Sequence, residues 1–167
     1  DQWSRFHFGV PPKTKGDFAF VQHMIASTND TGMVGVVMPH GVLFRGAAEG
    51  EIRRKMLEQD LIEAVVGLPT NLFYGTGIPA TILVFNKAKA AGRRKKVLFI
   101  EASSDFKEGT NQNHLRVEDI DKVVKAFREF KDVEKYARVV DLSAIQKNDF
   151  NLNISRYVET VDAAEKV

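Results

Sequence analysis

The first apolar pattern along the chain is helical. Beyond Gly16, apolar residues recur at spacings of three, four and seven, which places them on one face of a helix. These residues are Phe18, Val21, Met24 and Ile25. Residues 33–38 then form a short run of mostly apolar, β-branched side chains that stops at Pro39, as expected of a strand buried on both faces. The pattern predicts one helix followed by one strand.

A second helix and strand repeat this order. Residues 48–59 have helical spacing, with Ile52, Met56 and Leu57 on the inward face. A buried strand over residues 62–68 follows. Alternation of helix and strand is typical of α/β proteins with a parallel sheet.

The third strand breaks the alternation. It covers residues 80–85 and begins only about eleven residues after the second strand, too few for an ordinary crossover helix. We therefore expect it to pair antiparallel. A further strand is predicted over residues 97–100, and residues 103–114 lack apolar periodicity and are expected to form a long surface loop.

The clearest amphipathic helix lies in the last third of the chain, with acidic residues in its first turns, where the helix dipole favours them. Its apolar positions are Ile120, Val123, Val124, Phe127 and Phe130. We expect residues 1–115 to belong to one α/β domain, residues 116–158 to form a helical, Asn-rich extension, and residues 159–167 to form a frayed tail.

Bulk properties exclude several kinds of site. A formal net charge of +2 neither demands nor excludes a polyanionic partner, and the absence of cysteine removes thiolate chemistry and disulfides. The four histidines are scattered without carboxylates at ligand spacing, so we propose no metal. No apolar stretch has the length of a membrane span, and we expect a cytoplasmic protein.

The segment between the second and third strands is the first candidate site. It joins a parallel strand to an antiparallel one, so its tip must lie at the carboxyl edge of the sheet, where open α/β folds bind ligands. Phe73 and Tyr74 stand at that tip beside two glycines and a proline. Aromatic faces there could stack on an extruded base, whereas the alternative is that Phe73 caps the core beneath the loop.

A second candidate site is a basic loop with no acidic residue in it. Such a loop could contact a DNA backbone, although loops of this kind are often simply solvated. Its six basic residues are Lys87, Lys89, Arg93, Arg94, Lys95 and Lys96.

Five ordered segments resemble the modification subunits of type I restriction enzymes, which are DNA adenine N6-methyltransferases, and the resemblance extends over nearly the whole chain. The segments are residues 16–24 (GDFAFVQHM), 35–45 (GVVMPHGVLFR), 68–79 (LPTNLFYGTGIP), 97–103 (VLFIEAS) and 148–157 (NDFNLNISRY).

The resemblance implies a function, a cofactor and partners. Members of this family transfer a methyl group from S-adenosylmethionine to N6 of an adenine flipped out of duplex DNA. The implied partners are duplex DNA, a specificity subunit, a restriction subunit and a second modification subunit. The implied fold is part of a Rossmann-like methyltransferase sheet, with parallel strands, one antiparallel strand and a C-terminal helical extension, and residues 1–115 would be the C-terminal half of the catalytic domain.

The resemblance also implies roles for individual residues. The family's glycine-rich cofactor motif and its Asn-Pro-Pro-Phe motif would precede Asp1, since Pro11-Pro12 lacks the polar and aromatic neighbours of the catalytic motif. We therefore expect no catalytic residue here, and little activity or cofactor binding by the fragment alone. Phe73 becomes the candidate for stacking on the flipped adenine, with Tyr74 as the fallback. Phe20 is the candidate contact to the cofactor's adenine ring, and its alternative is a core aromatic.

Two other readings remain open from the sequence. The region from about Val117 onward could be a docking module for other subunits, although its helix could simply cover the sheet. The chain could also come from another Rossmann-like methyltransferase, or from a non-catalytic relative.

Overall fold

The computed structural model describes residues 2–159, which fold around one five-stranded sheet. The strands are β1 (Met33–Pro39), β2 (Ile62–Gly67), β3 (Ala80–Asn86), β4 (Lys96–Glu101) and β5 (Ala137–Asp141). Their order across the sheet is β1-β3-β2-β4-β5. Strands β2 and β4 pair parallel, whereas β3 pairs antiparallel with both β1 and β2. The predicted antiparallel strand is confirmed, and it separates the two strands that were expected to form the parallel unit.

Within these described residues, four α-helices accompany the sheet: α1 (Asp17–Ala26), α2 (Ala47–Glu58), α3 (Val117–Glu129) and α4 (Leu142–Lys147). The long loop expected before α3 is present, and within it a single bridge joins Lys107 to His114. Strand β5 was not anticipated. It pairs antiparallel with β4 and has only five residues, of which Arg138 and Asp141 are exposed, so its apolar pattern is weak. Residues 116–158 thus add a strand to the same sheet as well as helices.

The core lies on both faces of the sheet because alternate residues of the central strands point in opposite directions. On one face, Val65 and Phe99 belong to a cluster that includes residues of α1 and α2 and the apolar residues of 150–158. On the other face, Ala64 and Leu98 belong to a cluster that includes residues of α3. Every residue of β2 is buried, as the apolar run predicted.

One expected core position on α1 is wrong. Met24 is 37% exposed, whereas Gln22 is buried. The Gln22 amide accepts a hydrogen bond from the backbone nitrogen of Phe8 (3.0 Å) and donates one to the carbonyl of Gly9 (2.8 Å). Burial of this polar side chain is therefore compensated by hydrogen bonds, which attach the N-terminal segment to α1.

The chain beyond α4 returns to the core. Leu152, Ile154 and Tyr157 are buried in the same cluster as Phe99, and the rings of Tyr157 and Phe99 stack with centroids 4.3 Å apart. Of the expected tail, residues 160–167 lie outside the described residues. Among residues 2–159, no helix has the length and apolar composition that crossing a membrane requires.

Replacing Tyr157 by Phe should remove one source of instability at alkaline pH. Burial raises the pKa of Tyr157 to about 12, whereas an unfolded tyrosine ionises near pH 10. Its contribution to the free energy of unfolding is therefore complete below about pH 10 and decreases up to about pH 12. Tyr157→Phe should make this decrease shallower in urea unfolding measured from pH 7 to 12.

At pH 7 the same variant should lose about 1 kcal/mol, because the hydroxyl of Tyr157 donates a hydrogen bond to the carbonyl of Asn151. Tyr74→Phe is the matched control, since Tyr74 is 88% exposed and should change neither quantity. An unchanged pH profile for Tyr157→Phe would contradict this account.

Candidate functional site

The loop between β2 and β3 lies at the carboxyl edge of the sheet, as its position in the sequence predicted. Its base is closed by a hydrogen bond from the backbone nitrogen of Leu68 to the carbonyl of Ala80 (3.0 Å). Gly75 has φ +76°, a conformation that other residues adopt only with strain, so the turn beyond Tyr74 depends on glycine. We call residues 69–79 the aromatic loop.

An apolar groove of about 210 Å³ runs between the aromatic loop and the end of β1, and we call it the edge groove. Its lining includes Val37, Pro39, Phe73, Thr76, Ile78 and Pro79. Of the residues that the structure describes, none with an ionisable side chain lines it, and the one polar side chain in its lining is the hydroxyl of Thr76. Such a groove can receive a flat apolar surface but offers little to hold a charged group.

The two aromatic residues of the loop have different environments. Phe73 lines the edge groove and is 45% exposed, whereas Tyr74 is 88% exposed and is absent from the groove lining. The side chain that packs against the core beneath this loop is Leu72. Phe73 is therefore not among the residues packed against this core cluster, and the exposed part of its ring faces the edge groove.

A polar pocket of about 320 Å³ lies beside the edge groove and shares Pro79 and Ala80 with it. Its polar side chains are His40, Thr70, Glu101 and Ser103. Glu101 accepts a hydrogen bond from the backbone nitrogen of Ser103 (3.1 Å). Sequence reasoning missed this pocket because its residues follow three different strands and meet only at the edge of the folded sheet.

Strand β1 forms one outer edge of the sheet. In the part of the chain that the structure describes, it pairs with β3 alone. Met33 and Val37 on β1 are about half exposed. On α1, which contacts β1, Phe20 is 66% exposed and lies outside the core formed by residues 2–159. We call Met33 and Val37 the β1 edge surface.

The start of α1 is held beside the end of β1. Arg45 follows β1 and donates a hydrogen bond to Asp17 in the first turn of α1 (2.7 Å), and it also binds Glu49 in α2 (2.6 Å). Because Phe20 is only one turn beyond Asp17, it lies toward the carboxyl edge, as the aromatic loop does.

The basic loop lies at the opposite edge of the sheet. It connects the end of β3 to the start of β4, and the two aromatic positions are at the other end of these strands. Lys89 is buried, with its ammonium group 2.6 Å from Asp60, and Lys87 donates to the carbonyl of Thr28. The structure does not bring this loop and the aromatic loop together.

Arg93 also has a structural role within the basic loop. Its guanidinium is 3.3 Å from the buried carboxylate of Glu63 and lies over the rings of Phe127 and Phe130, 5.2 and 4.6 Å from their centroids. It therefore attaches the end of α3 to the sheet. The exposed members of the loop are Arg94 and Lys95.

The chain is similar to known DNA methylases. The sequence profile of the family described as N-6 DNA Methylase matches residues 1–166. The type I restriction enzyme MjaVII methylase subunit of Methanocaldococcus jannaschii is 43% identical over 95% of this chain and 28% of its own length. The HindI methylase subunit of Haemophilus influenzae is 32% identical over 95% of this chain and 37% of its own length. The chain thus spans about a third of these relatives.

Solved structures agree with the sequence relatives. The crystal structure of the type I restriction-modification system methyltransferase subunit from Streptococcus thermophilus matches 93% of this chain and 33% of its own chain, with 42% identity and a TM-score of 0.88. The EcoKI M protein has the same fold, with 16% identity and a TM-score of 0.73. The expected mixed α/β methyltransferase fold and the resemblance to type I modification subunits are confirmed: this chain belongs to the N-6 DNA methylase family.

Proposed function

We propose that this chain is part of a DNA adenine N6-methyltransferase of a type I restriction-modification system, with S-adenosylmethionine as the methyl donor. The observation that carries the proposal is the edge groove, in which Phe73 presents a partly exposed ring at the ligand-binding edge of a methylase-family sheet. In this proposal the chain supplies walls of the site, and the reacting groups belong to another part of the protein.

The chemistry of methyl transfer supports this division. An aromatic amine must be held by polar acceptors while the methyl donor is aligned with it and water is excluded. The edge groove has one hydroxyl and is open. It can stack a base but cannot by itself bind and orient an amino group, so we expect the fragment alone to be inactive.

The unpaired edge of β1 supports the same conclusion. An exposed strand edge with apolar neighbours is usually covered by another element. Because the chain spans about a third of its relatives, we propose that the rest of the protein covers the β1 edge surface and completes both the base pocket and the cofactor pocket.

Replacing Phe73 by Ala should slow methylation by the full-length enzyme. Stacking on one base contributes about 1–3 kcal/mol, so we expect a loss of about 5- to 150-fold in the single-turnover rate. Phe73→Trp should retain most of the rate because it retains a stacking face. Tyr74→Ala is the control and should stay near wild type. Loss with Tyr74→Ala and not with Phe73→Ala would assign stacking to Tyr74 instead.

Replacing Phe20 by Ala should weaken cofactor binding. We propose that Phe20 covers the adenine ring of S-adenosylmethionine, since its ring is exposed near the carboxyl edge. Loss of one aromatic wall should raise the Kd by roughly ten-fold in calorimetry with the full-length protein. Met24→Ala removes an exposed apolar side chain one turn along the same helix and should leave the Kd unchanged. Equal effects of the two substitutions would reject a specific role for Phe20.

We propose a DNA-backbone contact for Arg94 and Lys95 and not for Lys89, whose ammonium group is buried against Asp60. Changing both Arg94 and Lys95 to Ala should reduce the slope of log K against log salt concentration by about 2, because each phosphate contact contributes about 0.9. Changing exposed Lys125 and Lys147 to Ala removes the same charge elsewhere and is the control. An unchanged slope would mean that Arg94 and Lys95 are solvated and do not contact the DNA backbone.

Partners follow from the same proposal. They are duplex DNA, a specificity subunit, a restriction subunit and a second modification subunit. The alternative of a docking module is less well supported, because Ala126, Val123 and Phe127 pack α3 against the sheet. The exposed apolar residues of α3, Val117, Ile120 and Val124, remain available for a subunit contact.

A further inference from the structure

The aromatic loop is held by a pair of consecutive polar residues from a distant part of the chain. Three consecutive backbone carbonyls, those of residues 70, 71 and 72, accept hydrogen bonds from Gln112 and Asn113. The side-chain amide of Asn113 donates to Thr70 (2.9 Å), its backbone nitrogen donates to Asn71 (2.8 Å), and the side-chain amide of Gln112 donates to Leu72 (3.0 Å). The next residue along the loop is Phe73.

The two donors are themselves fixed in position. The loop that carries them follows β4 and is closed by reciprocal backbone hydrogen bonds between Lys107 and His114, of 2.8 and 2.9 Å. Asn113 is 9% exposed, and Leu115, two residues later, packs against the core. The amide of Asn113 is therefore held by a closed turn on one side and by core packing on the other.

Few other contacts could hold the first half of the aromatic loop. Within residues 2–159, the hydrogen bonds that join residues 69–77 to segments outside the aromatic loop all come from Gln112 and Asn113. Besides the packing of Leu72 against the core, the other contact found among the described residues is at the far end of the loop, where the backbone nitrogen of His40 donates to the carbonyl of Pro79 (3.1 Å). Without the three donors, the backbone that carries Phe73 would have to find its hydrogen bonds in water.

We infer that Asn113, assisted by Gln112, is a positioning residue for base stacking: it touches neither base nor cofactor but fixes the backbone from which Phe73 projects. This inference rests on the proposed stacking role of Phe73. Placement matters because a displacement of about 1 Å at a reacting centre can reduce a rate about 100-fold. A ring that is free to move with its loop would stack on the flipped base in only part of the population.

The test uses isosteric substitutions in the full-length methylase assembled with its DNA-recognition subunit. Asn113→Asp replaces the donating amide by a carboxylate oxygen that faces the carbonyl of Thr70, and Gln112→Glu does the same toward Leu72. Asn111→Asp is the matched control, because it makes the same chemical change at an exposed position two residues away. Two quantities are measured: the single-turnover methylation rate, and the emission of 2-aminopurine placed at the target adenine, which reports the flipped base.

We expect Asn113→Asp to lower the single-turnover rate by about ten-fold and to change the 2-aminopurine emission of the complex, with S-adenosylmethionine affinity unchanged. Asn111→Asp should remain within about two-fold of wild type. If Asn113→Asp does not fold, Gln112→Glu decides, with a smaller loss of about three-fold, because Gln112 is less buried than Asn113 and water can more readily replace its hydrogen bond. Wild-type rates in the variants that fold would overturn the inference.

A double-mutant cycle separates positioning from general stability. If Asn113 acts through Phe73, Asn113→Asp should have little further effect on rate or emission in a Phe73→Ala background. Additive effects, accompanied by weaker cofactor binding, would mean that Asn113 is merely structural and would overturn the inference. If Phe73→Ala alone keeps the wild-type rate and emission, the stacking role itself fails. A loss with Phe73→Ala but not with Asn113→Asp or Gln112→Glu refutes only the positioning role.

Discussion

The pairing of β3 with both β1 and β2 is the contact on which the other features of the structure depend. It brings Val36 and Val65 to either side of Leu83, and the hydroxyl of Thr81 adds a hydrogen bond to the carbonyl of Val66 (2.8 Å). Because β3 runs opposite to its neighbours, the chain must turn at the carboxyl edge to enter it and at the amino edge to leave it. The first turn is the aromatic loop and the second is the basic loop.

This topology separates the aromatic loop from the basic loop. From the sequence alone, the two loops could have formed one nucleic-acid-binding surface. Phe73 and the six basic residues are separated by the length of the sheet. Three of those six, Lys87, Lys89 and Arg93, are already bound to other parts of the chain. Buried or paired cations are costly to withdraw from their partners, so these residues serve the fold and only the exposed members can serve a ligand.

At the carboxyl edge, apolar and polar side chains line two separate cavities. The edge groove is apolar and ends at the unpaired side of β1, whereas the adjacent pocket carries His40 and Glu101. Phe20 and Phe73 flank this region from α1 and from the aromatic loop. The chain spans about a third of its family relatives, and under the proposed function other parts of the protein would cover these rings and this strand.

The sequence by itself determined the elements whose signal is local. Period and length predicted α1 to α3 and β1 to β4, and the short connection after β2 predicted that β3 is antiparallel and that Phe73 lies at the carboxyl edge. Only the tertiary structure decided features that join distant segments. These features are the short strand β5, the burial of Gln22, the ion pairs of Lys89 and Arg93, and the hydrogen bonds from Asn113 to residues 70 and 71. Each depends on which backbone groups and charges meet across the fold, and apolar periodicity carries no information about those partners.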